Sequence, residues 1–416
     1  MAALVSRRGR LSRRKQATRP DRARRRPRWK RLAGALRMQP MRSNLLIYGV
    51  SGETGGRISR LAAAAGLPHL AAGRDFERVS ACADPLLLPT RVFSLADPAK
   101  IDRGLEGVSV VLNAAGPFAE TGPPLVAACL RTGAHYLDLA GDAADFEIIR
   151  RLDLRAREAG VLLMPGVGVK VVPTDALAAR LRRRLPTAVR LRLAWEVTGS
   201  AARGTLLPLL RDLLRQGVQR RDGELVPAFA GDSTLRLDLG SGPRLALTDP
   251  WRGDPETAYW SSVYSDVEVY AIHPPAGRWL VRRLRRPDLR RLAAAAAAFA
   301  LRHRRIPRRP PRRDLGDLGD LGGGPACPAG SAGAAALPAA CTRIWAQAED
   351  PTGLRATALL RGPDPRLFAA RTALWIAQRV LSGRLRVGFQ TPVTAYGPDL
   401  IDRLLDQVEG LQVTWC

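Results

Sequence analysis

The stretch Asn44-Leu-Leu-Ile-Tyr-Gly-Val-Ser-Gly-Glu-Thr-Gly-Gly-Arg57 decides the fold. Residues 45–48 are an apolar, β-favouring run of the kind found in a strand buried on both faces. Gly49, Gly52 and Gly55 follow in a GxxGxxG pattern. Ile58, Leu61, Ala62 and Ala65 then share one helical face, and Gly66 and Pro68 end the helix. Strand, glycine turn and helix are the setting of a dinucleotide site. The first glycine makes the tight turn, the second lets backbone approach a pyrophosphate, and the third permits close helix–strand packing. The helix N-terminus offers unpaired N–H groups and a positive dipole to phosphates. The alternative is a glycine turn that serves packing alone.

Working outward, His69–Gly73 reads as a second strand ending in Arg74. An acidic residue there holds the ribose 2′-OH of NAD, whereas arginine suits the 2′-phosphate of NADP. Asp75 is adjacent; the arginine favours NADP(H) over NAD(H). Val92–Leu95 is a third strand, and Asp97 caps a helix through Leu105. Val108–Leu112 runs into Asn113-Ala-Ala-Gly-Pro-Phe118, whose small residues leave space where open α/β sheets bind ligands. A helix over 122–132, a strand over 135–139, a helix over 145–159 and a strand over 161–164 complete a doubly wound parallel sheet.

These motifs stand in one order with Gly133-Ala-His-Tyr-Leu-Asp138, Pro165-Gly-Val-Gly168, Val172-Pro-Thr-Asp175 and Arg203-Gly-Thr205. The set resembles the saccharopine dehydrogenase-like reductases, including the trans-acting enoyl reductases of bacterial lipid assembly. The resemblance covers roughly 43–275 and resumes at Gly388-Phe-Gln-Thr-Pro392 and Tyr396-Gly397. It implies an α/β fold: an N-terminal Rossmann doubly wound parallel sheet, a second α+β domain, and a C-terminal segment packing back on the first. The cofactor contacts it implies are Gly49, Ser51, Gly52, Glu53, Thr54, Gly55, Arg74, Asn113, Ala114, Ala115, Gly116 and Pro117. One departure stands out. The family usually has an aromatic–acidic pair before the Val-Val-Pro segment, and this chain has Val169-Lys170. Gly141-Asp142 replaces a frequent Gly-Glu, a milder change.

Beyond Ala188 the alternation loosens. Val189–Thr198 is long and β-like, with Arg190 and Arg192 set against Leu191 and Leu193, which predicts one solvated face. Arg203-Gly-Thr205 leads into a short helix, and Arg221-Asp-Gly-Glu224 reads as a hairpin turn. Strands near 235–239 and 244–248 and a Tyr/Val-rich run over Thr257–Ala271 predict a largely antiparallel sheet. Helices over 366–381 and 399–408 precede a terminal strand. The expected domains are a basic disordered extension over 1–42, a Rossmann domain over 43–185, a substrate or oligomerisation domain over 186–276, a linker over 277–340, and 341–416 closing the second domain with return helices.

The net charge of +28 is concentrated in two tracts. Residues 1–40 hold 15 Arg/Lys against Asp21 alone, and 277–313 hold 14 Arg against Asp288 alone, leaving the remainder nearly neutral. Neither tract accompanies a nucleic-acid-binding module, so they read as solvated tail and linker, with membrane-surface contact the alternative. Met41 is an alternative start, which would place residues 1–40 outside the translated chain. No run approaches a bilayer span, no export signal is evident, and the five cysteines form no CxxC, which points to a cytoplasmic protein.

No tyrosine precedes a lysine by four residues, so short-chain dehydrogenase chemistry is excluded. The four histidines lack zinc-ligand spacing, no metal site is expected, and Gly-x-Ser-x-Gly is absent. Hydride transfer asks little of side chains. The expected activity is NADPH-dependent reduction of a C=C bond in a small-molecule or acyl-carrier-bound enoyl substrate, with Lys170 or Tyr136 as proton donor. Saccharopine-type C=N chemistry and a catalytically inactive NADP-binding sensor or scaffold remain open. A homodimer is compatible with a two-domain reductase.

Overall fold

The computed structural model describes residues 45–198, 215–240, 242–273 and 341–416, with scattered positions between 278 and 289. The extension expected over 1–42, the Arg203-Gly-Thr205 segment and nearly all of the 277–340 linker lie outside the described residues.

Leu45–Tyr48 is β1, buried along its whole length, and the glycine turn leads into α1 (Glu53–Ala64). Alternation continues through β2 (His69–Gly73), α2 (Phe76–Ala83), β3 (Thr90–Val92), α3 (Pro98–Gly104), β4 (Val110–Asn113), α4 (Phe118–Thr132) and β5 (His135–Asp138). Helices α5 (Ala143–Arg150) and α6 (Asp153–Glu158) precede β6 (Leu162–Met164). These strands are parallel in the order β6-β5-β4-β1-β2-β3. Strand β1 therefore stands where the winding reverses, the switch point at which open α/β sheets bind ligands.

Where the sequence predicts one helix over 145–159, the chain breaks at Arg151-Leu152. The break puts Asp153 at the start of α6. Its carboxylate accepts from Phe389 N at 2.7 Å and from Arg157 Nε at 2.9 Å, tying α6 to the C-terminal part of the chain.

Helix α7 (Val172–Arg184) is buried from Val172 through Ala179 and ends in three arginines, which suit the negative end of its dipole. The second sheet contains β7 (Arg190–Val197), β8 (Gly217–Arg221), β9 (Glu224–Ala228), β10 (Thr234–Asp238) and β11 (Pro243–Thr248). After α8 (Asp254–Ser262) it continues with β12 (Asp266–Ala271), β13 (Thr342–Glu349) and β14 (Arg355–Gly362). The chain closes with α9 (Pro365–Leu381), β15 (Gly388–Phe389), α10 (Pro392–Tyr396), α11 (Leu400–Gln407) and β16 (Gln412–Trp415). The second sheet runs β10-β11-β12-β7-β13-β14-β16, with β8 paired to β12 and β9. Its pairs are antiparallel apart from β12 on β7. Strand β15 joins the first sheet beside β6.

Two expectations are corrected here. The Thr257–Ala271 run is not one strand. Its first part belongs to α8, where Pro255 and acidic Asp254 and Glu256 occupy the first turn and Val263 turns the chain out through φ 57°. The arginine face of β7 is not simply solvated. Arg192 reaches Glu268 at 3.3 Å and Glu349 at 3.2 Å, and Arg190 reaches Glu349 at 3.3 Å, so cross-strand ion pairs cover it. The second sheet is largely antiparallel, as expected, with that one parallel pair. The Arg221–Glu224 hairpin is present, with positive φ at Asp222 and Gly223.

One apolar core joins the two sheets. Leu45, Ile47 and Leu137 of the first and Leu191, Val267 and Ile344 of the second belong to it, with α7 and α9 packed between. A second core under the opposite face of the first sheet holds Leu46, Tyr48, Val111, Tyr136 and Leu163.

Candidate functional site

The glycine turn is built by steric exclusion. A Cβ on Gly55 would lie 2.2 Å from Gly49 O, and one on Gly49, where φ is 95°, would lie 2.8 Å from Ala115 Cβ. Gly55 is thus fixed by close backbone approach within the turn, and Gly49 by its approach to Ala114 and Ala115 of the facing loop. Gly52 differs: it is exposed, and its Cβ would meet only Gly49 O at 3.3 Å. Gly52 is the N-cap of α1 and supplies no side-chain cap to the first-turn N–H groups. A cradle that one Cβ begins to fill, with uncapped donors behind it, fits a pyrophosphate. Ser51, Glu53 and Thr54 lie in the same turn, and Asn113, Ala114, Ala115, Gly116 and Pro117 form its opposite wall at the end of β4.

Arg74 is exposed at the end of β2 and makes no ion pair among the described residues. Its neighbour Asp75 is the N-cap of α2 and accepts from Arg78 N at 3.1 Å. The acidic residue is committed to capping, and the cation faces outward.

A buried polar chain holds the loops at the carboxyl edge. Asn113 Nδ2 donates to Thr121 Oγ1 at 3.0 Å and to Tyr136 Oη at 3.1 Å, while its Oδ1 accepts from Ala115 N. Tyr136 Oη donates to Asp138 Oδ2 at 2.9 Å. Asp138 Oδ1 accepts from Ala140 N at 2.8 Å and Gly166 N at 2.9 Å. Burial pushes the Asp138 carboxyl up to about 6 and the Tyr136 phenol well above its ordinary value. Tyr136 is fully buried and its hydroxyl donates its hydrogen bond to Asp138. Its hydroxyl lies within the hydrogen-bonded chain between Asn113 and Asp138.

Lys170 lies on the loop after β6. Its side chain is exposed and rests against Gly141, and its carbonyl accepts from Arg252 Nη2. Arg252 also donates from Nε to Asp254 Oδ2 at 3.1 Å and stacks 4.0 Å over Trp195. Gly253 N donates to Gly141 O at 2.7 Å, and Arg215 donates to Asp142 Oδ2 at 2.7 Å. The second sheet thus closes on the edge where β5 and β6 end. Sequence reasoning missed Arg252 and Asp254, because neither stands in a pattern tied to the glycine turn.

It also missed Asp145, in the first turn of α5. Burial, followed by the Asp142 and Asp138 charges, pushes this carboxyl up to about 7, against the pull of Arg215 and Lys170. A carboxyl whose folded value is raised favours the fold below its unfolded value, near 4, and that stability is lost as pH rises to about 7. Asp145→Asn should therefore gain stability over wild type by on the order of 2 kcal/mol more at pH 8 than at pH 5. Paired thermal melts at the two pH values measure this; a constant difference would contradict it.

Among the described residues no group of three His, Cys, Asp or Glu is placed to hold a metal ion, and no helix is long and apolar enough to cross a membrane.

Comparison with known proteins follows the same division of the chain. Residues 45–164 match the saccharopine dehydrogenase NADP binding domain family. A human saccharopine dehydrogenase-like oxidoreductase is 27% identical over 152 residues, covering 32% of this chain and 35% of that protein. A trans-acting enoyl reductase of Mycobacterium leprae is 32% identical over 152 residues, covering 34% and 36%. The match spans about a third of the length of these curated relatives. Apo saccharopine dehydrogenase (L-Glu forming) from Saccharomyces cerevisiae superposes with a TM-score of 0.61 at 13% identity, covering 90% of this chain and 99% of that one. That likeness shows a shared fold.

Proposed function

We propose that this chain, whose residues 45–164 form a saccharopine dehydrogenase-type NADP-binding domain, is an NADPH-dependent oxidoreductase that reduces a C=C bond in an acyl substrate. The observation that carries the reading is the glycine cradle at the switch point, flanked by Arg74, which makes no ion pair among the described residues and whose acidic neighbour is already used as a cap. When bound, NADP(H) supplies the hydride. The turn over 49–55 and the wall over 113–117 hold its phosphates, and the Asn113–Tyr136–Asp138 chain fixes the loops that orient its reactive end. Lys170 and Asp145 are the residues from which a proton donor would be drawn. The likeness to the mycobacterial enoyl reductase supports C=C over C=N reduction.

The test is calorimetric titration of the full chain with NADPH and NADH, beside Arg74→Gln. Wild type should prefer NADPH, and the variant should lose about tenfold or more for NADPH while keeping its NADH affinity. Equal loss for both cofactors would remove Arg74 from the 2′-phosphate site. A panel of enoyl-thioesters, followed by NADPH absorbance, then addresses the substrate. A second reading, a cofactor-binding protein without turnover, draws on the sealed Tyr136 hydroxyl and the outward Lys170. It predicts tight NADPH binding with no oxidation by any of the thioesters.

A further inference from the structure

Glu53 opposes the role of the turn it stands in. It is the first residue of α1, beside the cradle, and 61% of its side chain is exposed. A carboxylate there suits the helix dipole, yet it repels the pyrophosphate that the same N-terminus would receive. The opposing charge comes from the other end of the chain. Helix α9 packs along α1, and its N-cap Asp364 accepts from Arg366 N at 2.8 Å and Leu367 N at 3.3 Å, which fixes the first turn. From that turn Arg366 Nη1 reaches Glu53 Oε1 at 2.9 Å.

An exposed pair of this kind adds little to folding. Its position is what matters. We infer that Arg366 is a positioning residue that sets the affinity of the phosphate loop: by neutralising Glu53 it lets the α1 N-terminus accept a dinucleotide pyrophosphate. The inference rests on the reading of this loop as the cofactor site, and it assigns to the C-terminal segment a part in binding that the matched 45–164 domain lacks on its own.

The test is a double-mutant cycle on the full chain at low ionic strength, read by calorimetric titration with NADPH and NADH. Arg366→Gln should weaken both cofactors by the same factor, about five- to twentyfold, because both carry the pyrophosphate. Glu53→Gln combined with Arg366→Gln should recover affinity to within about twofold of wild type, since the uncompensated carboxylate is gone. Melting temperatures should stay together, because the pair is exposed. The inference is overturned if Arg366→Gln binds like wild type, if its loss is confined to NADPH, or if the double variant stays as weak as the single one. Absence of binding by wild type overturns both this inference and the proposed function, whereas the three other outcomes leave the proposed function standing.

Discussion

Gly52→Trp should abolish measurable binding of NADPH and NADH while the protein remains folded. The backbone at Gly52 has φ −85° and ψ 159°, which any residue adopts, and its Cβ would meet only Gly49 O, at 3.3 Å. A small shift accommodates it. The indole then occupies the space over the uncapped N–H groups of α1. A loss of at least about a hundredfold, ~2.7 kcal/mol, is expected in calorimetric titration. Gly55→Ala serves as a contrast, because its Cβ would stand 2.2 Å from Gly49 O. That collision is with backbone, so the turn must deform, and the melting temperature should fall along with affinity. Two glycines three residues apart would then separate a binding defect from a folding defect. Wild-type affinity in Gly52→Trp would place the cofactor elsewhere.

The second large effect is expected at Asp175. Its side chain is buried, Oδ1 accepts from Ser261 Oγ at 2.5 Å, and Oδ2 accepts from Val393 N at 2.9 Å. One carboxylate thus binds α7, α8 and the first turn of α10. Burial pushes it up to about 6, against those hydrogen bonds. Asp175→Ala leaves a hydroxyl and a backbone N–H without an acceptor, a loss of about 3 kcal/mol. Hydrogen exchange should report the loss locally, with protection falling over Pro392–Tyr396 before the first sheet opens. Unchanged protection there would mean that α10 is held by its apolar contacts alone.

How much of this was readable in the chain depends on distance along it. The β1–turn–α1 unit was legible because its apolar run, three glycines and helical stripe lie within about twenty residues and obey local rules. The capping roles of Asp97 and the hairpin at 221–224 were local in the same way. The Thr257–Ala271 run failed because tyrosine and valine suit a strand, while the acidic first turn and Pro255 that start α8 precede the run. The break at Arg151-Leu152 contains neither proline nor glycine; its hook is Asp153 on Phe389. Within the site, the turn and the Asn113 wall were visible. The Arg252 bridge to Lys170 and the Arg366 pair to Glu53 were not, since each joins segments that only the folded chain brings together.

The alternation of the C-terminal quarter between the sheets has a consequence for biosynthesis. Strands β13, β14 and β16 belong to the second sheet, while β15 lies at the margin of the first and α9 covers α1. A ribosome that has delivered residues 45–198 has delivered the glycine turn, but not the helix that shields its back or the strand that closes its edge. Until α9 and β15 have also been made, Ile47, Ile58 and Leu137 of the first sheet's core lack part of their cover. Products that stop before α9 and β15 contain every residue of the GxxGxxG motif but leave this apolar surface uncovered, and are expected to aggregate more readily than the longer chain.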